Sequence, residues 1–204
     1  MDTLLTVYPE YDANALQQER YKSQELIKNS ESENISAEKC FTSKMKRKDK
    51  EITNVQDKLN IIKKCKVCRI GLSENNKPYI IPLNYGYDFE NNTLTLYFHS
   101  TIEGKKMNII KNNNNACFEV DCDNQLLEAK KACNYSYAFK SIVGFGKIIF
   151  LEDTNEKIAG LNKIMQHQTG KEDVFIFSPE EMKNVVVYKM AVEEFTGKQK
   201  KIEK

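Results

Sequence analysis

Apolar positions along the chain recur with two periods, and each change of period marks an element. Val55, Leu59 and Ile62 fall at four- and three-residue spacing, which predicts a helix opened by Thr53, with Gln56 completing a capping box, and ending near Lys64. From Val67 the period drops to two. Cys68, Ile70 and Leu72 then share one face of a strand that turns through Glu74-Asn75-Asn76 and returns from Tyr79 to about Tyr87. Pro82 within that return marks an edge or a bulge, because proline donates nothing to a ladder. A second polar turn, Glu90-Asn91-Asn92, leads into Thr93 to Ser100 and completes a hairpin.

Ser100 and Glu103 stand three apart, as in a capping box, so the pattern predicts that a helix begins at Ser100 and runs to about Ile110. Ala116 to Cys122 alternates as a half-buried strand, and residues 123–135 read as a surface loop in which Leu126 and Leu127 need cover. Tyr137 to Glu152 is a long β-prone run whose Gly144 and Gly146 signal bends or close backbone approach. Asp153 to Gln168 is helical, with Ile158, Leu161 and Met165 on one face and Gly170 past its end. Ser178-Pro179-Glu180-Glu181 starts a short helix, and Val185 to Phe195 is the last strand. About six strands among three or four helices, without β-α alternation, predict a mainly β (α+β) antiparallel barrel with Greek-key-like winding.

Composition narrows the partners. Lys and Arg number 31 against 29 Asp and Glu, so a net charge of +2 gives no general pull toward nucleic acid or anionic membrane. No apolar run is long enough to span a bilayer and the start lacks the plan of a signal peptide, which together predict a cytoplasmic protein. Residues 1–44 read as an extension, partly disordered or helical over 14–28, because Ser, Asn, Glu and Lys dominate from Ser23 to Ser43. The domain proper is expected over 45–198, followed by a basic tail at 199–204. Six cysteines read as reduced thiols. Cys65 and Cys68 have Cys-x-x-Cys spacing, but Cys117, Cys122 and Cys133 are irregularly placed, so burial of Cys68 as a small hydrophobe is favoured over a metal site.

The candidate chemistry gathers where the second hairpin strand meets its helix. Lys105 and Lys106 fall in the first turn, where cations oppose the helix dipole. A phosphate held by free N–H groups, the Ser100 hydroxyl and these lysines would resolve that conflict, although lysines so placed are often plain surface charge. It is not a P-loop, since no glycine stands five positions before Gly104. Of the two histidines, His99 adjoins this corner and could bind, orient or pass a proton, whereas His167 near a helix C-terminus reads as structural.

Several stretches, in order, carry a resemblance: Cys65-Lys66-Val67-Cys68-Arg69-Ile70, Pro78 to Gly86, Tyr97-Phe98-His99-Ser100 with Glu103-Gly104-Lys105-Lys106, Cys117 to Asp121, Ser141 to Gly146, His167 to Gly170, and Glu194 to Lys198. The series resembles the FMN-binding split barrel of the pyridoxamine 5'-phosphate oxidase-like superfamily, and within it the nitroimidazole-resistance-type branch. The resemblance implies a homodimer with FMN at the subunit interface, held by Pro82, Leu83, Asn84, Tyr85, His99, Ser100, Lys105, Lys106 and Ser141, with His99 as the catalytic candidate. It also implies a small electron-poor substrate, nitroaromatic or quinone in type, and a reduced nicotinamide or other electron donor. The Arg-x-His-type C-terminal motif of true pyridoxamine phosphate oxidases is missing, which argues against that reaction. The same barrel binding haem or a deazaflavin, or a non-catalytic flavin-binding protein, stands as the alternative.

Overall fold

A computed structural model of the protein describes residues 46–202. The expectations for residues 1–44 and the end of the basic tail lie outside the described residues. After a single turn of 3-10 helix at Lys48–Lys50 come β1 (Glu51–Ile52), α1 (Val55–Lys64), β2 (Val67–Glu74), β3 (Lys77–Asn84), β4 (Gly86–Glu90) and β5 (Thr93–Thr101). Then follow α2 (Lys105–Asn112), β6 (Asn115–Leu127), β7 (Ser136–Phe150), α3 (Thr154–Thr169), α4 (Pro179–Met182) and β8 (Val185–Lys200). All strands join one antiparallel sheet in the order β3-β2-β6-β7-β8-β5-β4, with β1 paired to β8. No helix of the described residues is long and apolar enough to cross a membrane.

The described residues hold eight strands, two above the expected six. β1 is only two residues long, and the return strand read through Tyr87 breaks at Tyr85 into β3 and β4. Those two strands are the opposite ends of the sheet path, so one residue carries the chain from edge to edge. Tyr85 is fully buried there and donates its hydroxyl to Ile62 O at 2.7 Å, which fastens the junction to the last turn of α1. The edge position expected of Pro82 is what β3 occupies.

Other boundaries shift for identifiable reasons. Asn54, not Thr53, caps α1, accepting from the Asp57 N–H at 3.1 Å; asparagine is at least as good a cap. β6 does not stop at Cys122 but continues to Leu127 through a bulge between Cys122 and Gln125, where Asp123 takes φ 58°. β8 continues past Phe195 to Lys200 because β7 pairs it as far as Phe139↔Lys200. Gly146 lies beside a second bulge, and a Cβ there would sit 2.0 Å from Ala191 O, so the close approach expected of that glycine is real.

The inner face of the sheet holds the main core, including Ile70, Phe98, Phe118, Ile142, Tyr188 and Met190. Cys68, Ile70 and Leu72 are buried together, as their alternation predicts. A second, smaller cluster of Leu151, Leu161, Ile164 and Val187 forms where α3 lies against β5 and β8, with Tyr97 packed on it. Gly160 makes that approach possible: its missing Cβ would stand 3.1 Å from Val187 and 3.2 Å from Tyr97 side chains.

Candidate functional site

The start of α2 differs from its expectation in a way that sharpens it. Ser100 does not cap the helix. The β5–β8 ladder runs on through Ser100↔Val186 and Thr101↔Val185, so Ser100 stays in the strand with its side chain buried. The N-cap is instead Gly104, at φ 136°, and no side chain bonds the free N–H groups of the first turn. Lys105 and Lys106 are therefore the first two helical residues, nearer the positive end of the dipole than expected, and the first turn holds no acid.

Among the described residues, no carboxylate forms an ion pair with either lysine. Lys105 lies over the Tyr79 ring of β3, 4.8 Å from its centroid. Lys106 is half-buried, and loss of water pushes its pKa below the ordinary lysine value. His99 points to the outer face of β5 and is exposed at its surface. Its pKa falls below the ordinary value, first through desolvation and then through the neighbouring Lys106 ammonium. The corner is thus a group of donors without an ion-paired carboxylate among the described residues.

Along β3, Pro82 and Asn84 face outward, while Leu83 turns inward against the core. The Tyr85 side chain is core and cannot face a ligand on the outer surface. Asn84 is not free to turn: its amide donates to Lys66 O and to Gln168 Oε1, both at 3.1 Å. Ser141, half-buried, stands opposite Asp121 of β6 and Lys198 of β8. β2 and β6 separate it from β3, three strand spacings or about 14 Å. One chain therefore sets Lys105 on Tyr79 and Lys106 close enough to His99 to act on its charge, and leaves Ser141 apart.

Between them lies a group that the sequence reading missed. Arg69 of β2 reaches Glu119 at 3.0 Å and Asp121 at 2.6 Å on β6. Register places Pro82, Arg69 and Glu119 in one row across the sheet. Burial, then Asp121, raises the Glu119 pKa against the pull of Arg69. The alternation of Glu119 and Asp121 with Phe118 and Val120 was the available signal, since it aims both acids outward. Among the described residues, no three His, Cys, Asp or Glu side chains group as metal ligands.

A family model described as pyridoxamine 5'-phosphate oxidase matches residues 55–199. The chain belongs to that family. A candidate 5-nitroimidazole antibiotic resistance protein from Bacteroides thetaiotaomicron is 34% identical, with a TM-score of 0.64 over 73% of this chain and 86% of that one. This family member also has the fold of an FAD- and haem-binding protein from Mycobacterium smegmatis, at 13% identity and TM-score 0.65 over 75% and 74% of the two chains. A flavocytochrome from Azotobacter vinelandii is similar at 16% identity and TM-score 0.62, over 74% and 70%. No curated protein matches the sequence. The superfamily and branch expected from the ordered motifs both stand.

His167 is structural, and more deeply so than a helix-end cation. It is buried, with Nδ1 2.7 Å from Tyr85 O and Nε2 3.1 Å from Lys63 O, and its ring packs edgewise on Tyr85 and Tyr87. A neutral ring donates through one nitrogen, and the shorter contact assigns the proton to Nδ1. Desolvation lowers its pKa from 6.5, against the opposing carbonyl hydrogen bonds. The unfolded chain thus protonates first, so His167 contributes stability at neutral pH that is lost as pH falls through the folded value. His167→Gln is expected to destabilise by about 2 kcal/mol at neutral pH and to flatten the fall in stability below about pH 6.5. Urea unfolding across that range reads both. An unchanged acid slope would assign the slope to another group.

Proposed function

We propose that this protein is an FMN-dependent oxidoreductase of small electron-poor molecules, nitroaromatic or quinone in type, acting in the cytoplasm as a homodimer with a flavin at each end of the subunit interface. The observation that carries the reading is the start of α2: the N–H groups of Lys105 and Lys106 left open by a glycine cap, both side chains without an ion-paired acid among the described residues, and His99 within reach of the Lys106 charge. A doubly negative phosphate monoester fits that donor set. The 34% identity to a candidate nitroimidazole resistance protein supports the substrate class.

Bound there, FMN would supply the redox chemistry. The protein's residues bind and orient. Lys105, Lys106 and the first N–H groups of α2 hold the phosphate, with the Tyr79 ring as a wall beside Lys105. β3 is a sheet edge, so its backbone around Pro82 and Leu83 is open to the flavin ring system, and Asn84 is held in place by Gln168. His99, kept largely neutral at pH 7 by its lowered pKa, can hold a proton at one ring nitrogen and accept at the other, which suits it to orient a substrate oxygen. Ser141 is about 14 Å from β3 within one chain, so in this reading it serves the flavin of the second subunit.

Mixing the purified protein with FMN should quench flavin fluorescence at one equivalent per chain, and a reduced nicotinamide should then bleach the flavin band until a nitroaromatic or quinone restores it. Protein that takes up no FMN would end this reading. A haem or deazaflavin spectrum from freshly purified protein would replace it with the alternative cofactor.

A further inference from the structure

Four of the five described cysteines, Cys65, Cys68, Cys117 and Cys122, lie on β2, β6 and the end of α1, and two of them are placed to join. Cys65 caps the C-terminus of α1 and is buried, with Sγ 3.3 Å from the carbonyl of Asp121, the residue before Cys122. The β2–β6 register leads to the same place. It pairs Gly71 with Cys117, Ile70 with Phe118 and Arg69 with Glu119, and continuing it carries Lys66 and Cys65 alongside Cys122 and Asp123. The two thiols are near enough for each to shift the other's pKa. Lys64, next to Cys65, bonds Asp123, next to Cys122, so a neighbouring contact holds the same two segments together.

Only one of the pair is open to reagent. Cys122 is partly exposed and lines a cavity of about 370 Å³ together with Lys64, Asp123 and Lys140, whereas Cys65 lies behind it. We propose that Cys65 and Cys122 form a reversible disulfide when hydrogen peroxide or another small hydroperoxide enters this cavity. Cys122 sulfur attacks the terminal peroxide oxygen; an S–O bond forms, the O–O bond breaks, and the other oxygen leaves with the thiol proton as water, or as an alcohol from an organic hydroperoxide, giving the sulfenic acid. Cys65 sulfur then attacks Cys122 sulfur; the S–S bond forms, the S–O bond breaks, and the hydroxyl departs as water with the Cys65 proton. Two thiols are oxidised by two electrons, and one hydrogen peroxide is reduced to two waters.

Burial sets the pace. Desolvation raises the Cys65 thiol to about 12. Desolvation and Asp123 raise Cys122, opposed by Cys65, Lys64 and Lys140. The reaction is therefore slow at neutral pH and quickens between roughly pH 7 and 9, since the thiolate is the nucleophile. The link ties the end of α1 to β6 beside Lys66, whose carbonyl receives the amides of Asn84 and Gln168. Oxidation thus stiffens the mount of β3.

The test is independent of any flavin. The full chain is treated with hydrogen peroxide, remaining thiols are alkylated in denaturant, and peptides are analysed by mass with and without dithiothreitol. The expected result is a reducible Cys65–Cys122 peptide, formed faster at higher pH, with the thermal midpoint of the oxidised protein raised by about 5 °C or more. Cys65→Ser and Cys122→Ser should each abolish both changes; the latter alters the more exposed residue, so one variant remains if the other fails to fold. A link through Cys68, Cys117 or Cys133, oxidation of Cys122 without a link, no oxidation, or a link that leaves the midpoint unmoved would each overturn the proposal.

Discussion

Alanine at both Lys105 and Lys106 is expected to weaken FMN binding by about 100-fold or more, because each lysine is assigned a charge-assisted bond to phosphate and such bonds contribute about 1.5–3 kcal/mol apiece. Riboflavin separates a local effect from a general one. It carries the ring system without the phosphate, so its weaker affinity should be the same for the double variant and the parent. Equal loss for both ligands would mean that the lysines act through the fold, and no loss for either would move the phosphate elsewhere. Folding itself should hardly change. The cation over Tyr79 is lost, worth about 0.5–1 kcal/mol, while two cations leave the positive end of the α2 dipole, a gain of similar size.

Gly86→Ala should be the most damaging small substitution near the site. A Cβ at that position would stand 2.3 Å from the carbonyl carbon of Lys163 and 2.4 Å from the amide nitrogen of Ile164. Both are backbone atoms of α3, so no side chain can swing aside; the helix has to lift from β4. That lift disturbs the second core cluster around Ile164 and the Lys163 to Asp88 ion pair at 2.8 Å. A cost of about 3 kcal/mol or more follows, which lowers the thermal midpoint by roughly 6–12 °C in a chain of this size. Gly71→Ala is the control. Its nearest neighbour would be 3.7 Å away, an ordinary contact, and the midpoint should stay within a few degrees by the same scale. A mild Gly86→Ala phenotype would show that α3 is not held where its contacts place it.

The strands were legible because burial on one face writes itself as alternation: Cys68, Ile70 and Leu72, or Leu94, Leu96 and Phe98, all inward. Pro82 spoke for an edge for an equally local reason, its missing N–H. The larger misreadings depended on distant partners. Ser100 and Glu103 make a sound capping pair in isolation, but Val186 and Val185 extend β5 past Ser100 and leave Gly104 to start the helix. Residues 123–127 look like a loop until β7 is there to pair with them across the bulge. The candidate site divides in the same way. Lys105, Lys106 and His99 lie within eight positions of one another and could be found by eye. Arg69 with its acids, and Gln168 bracing Asn84, meet across more than forty residues of chain, which no local pattern reports.

β8, the last strand in the described sequence, is not an outer strand. It lies between β7 and β5 and also carries β1. During synthesis, β5 and β7 must therefore emerge and wait, each with an unpaired side, until residues as late as Lys200 leave the ribosome. The sheet is completed only once β8 has emerged, and a chain stalled before it would expose two long adhesive edges. Such fragments are natural clients for chaperones that shield nascent strands.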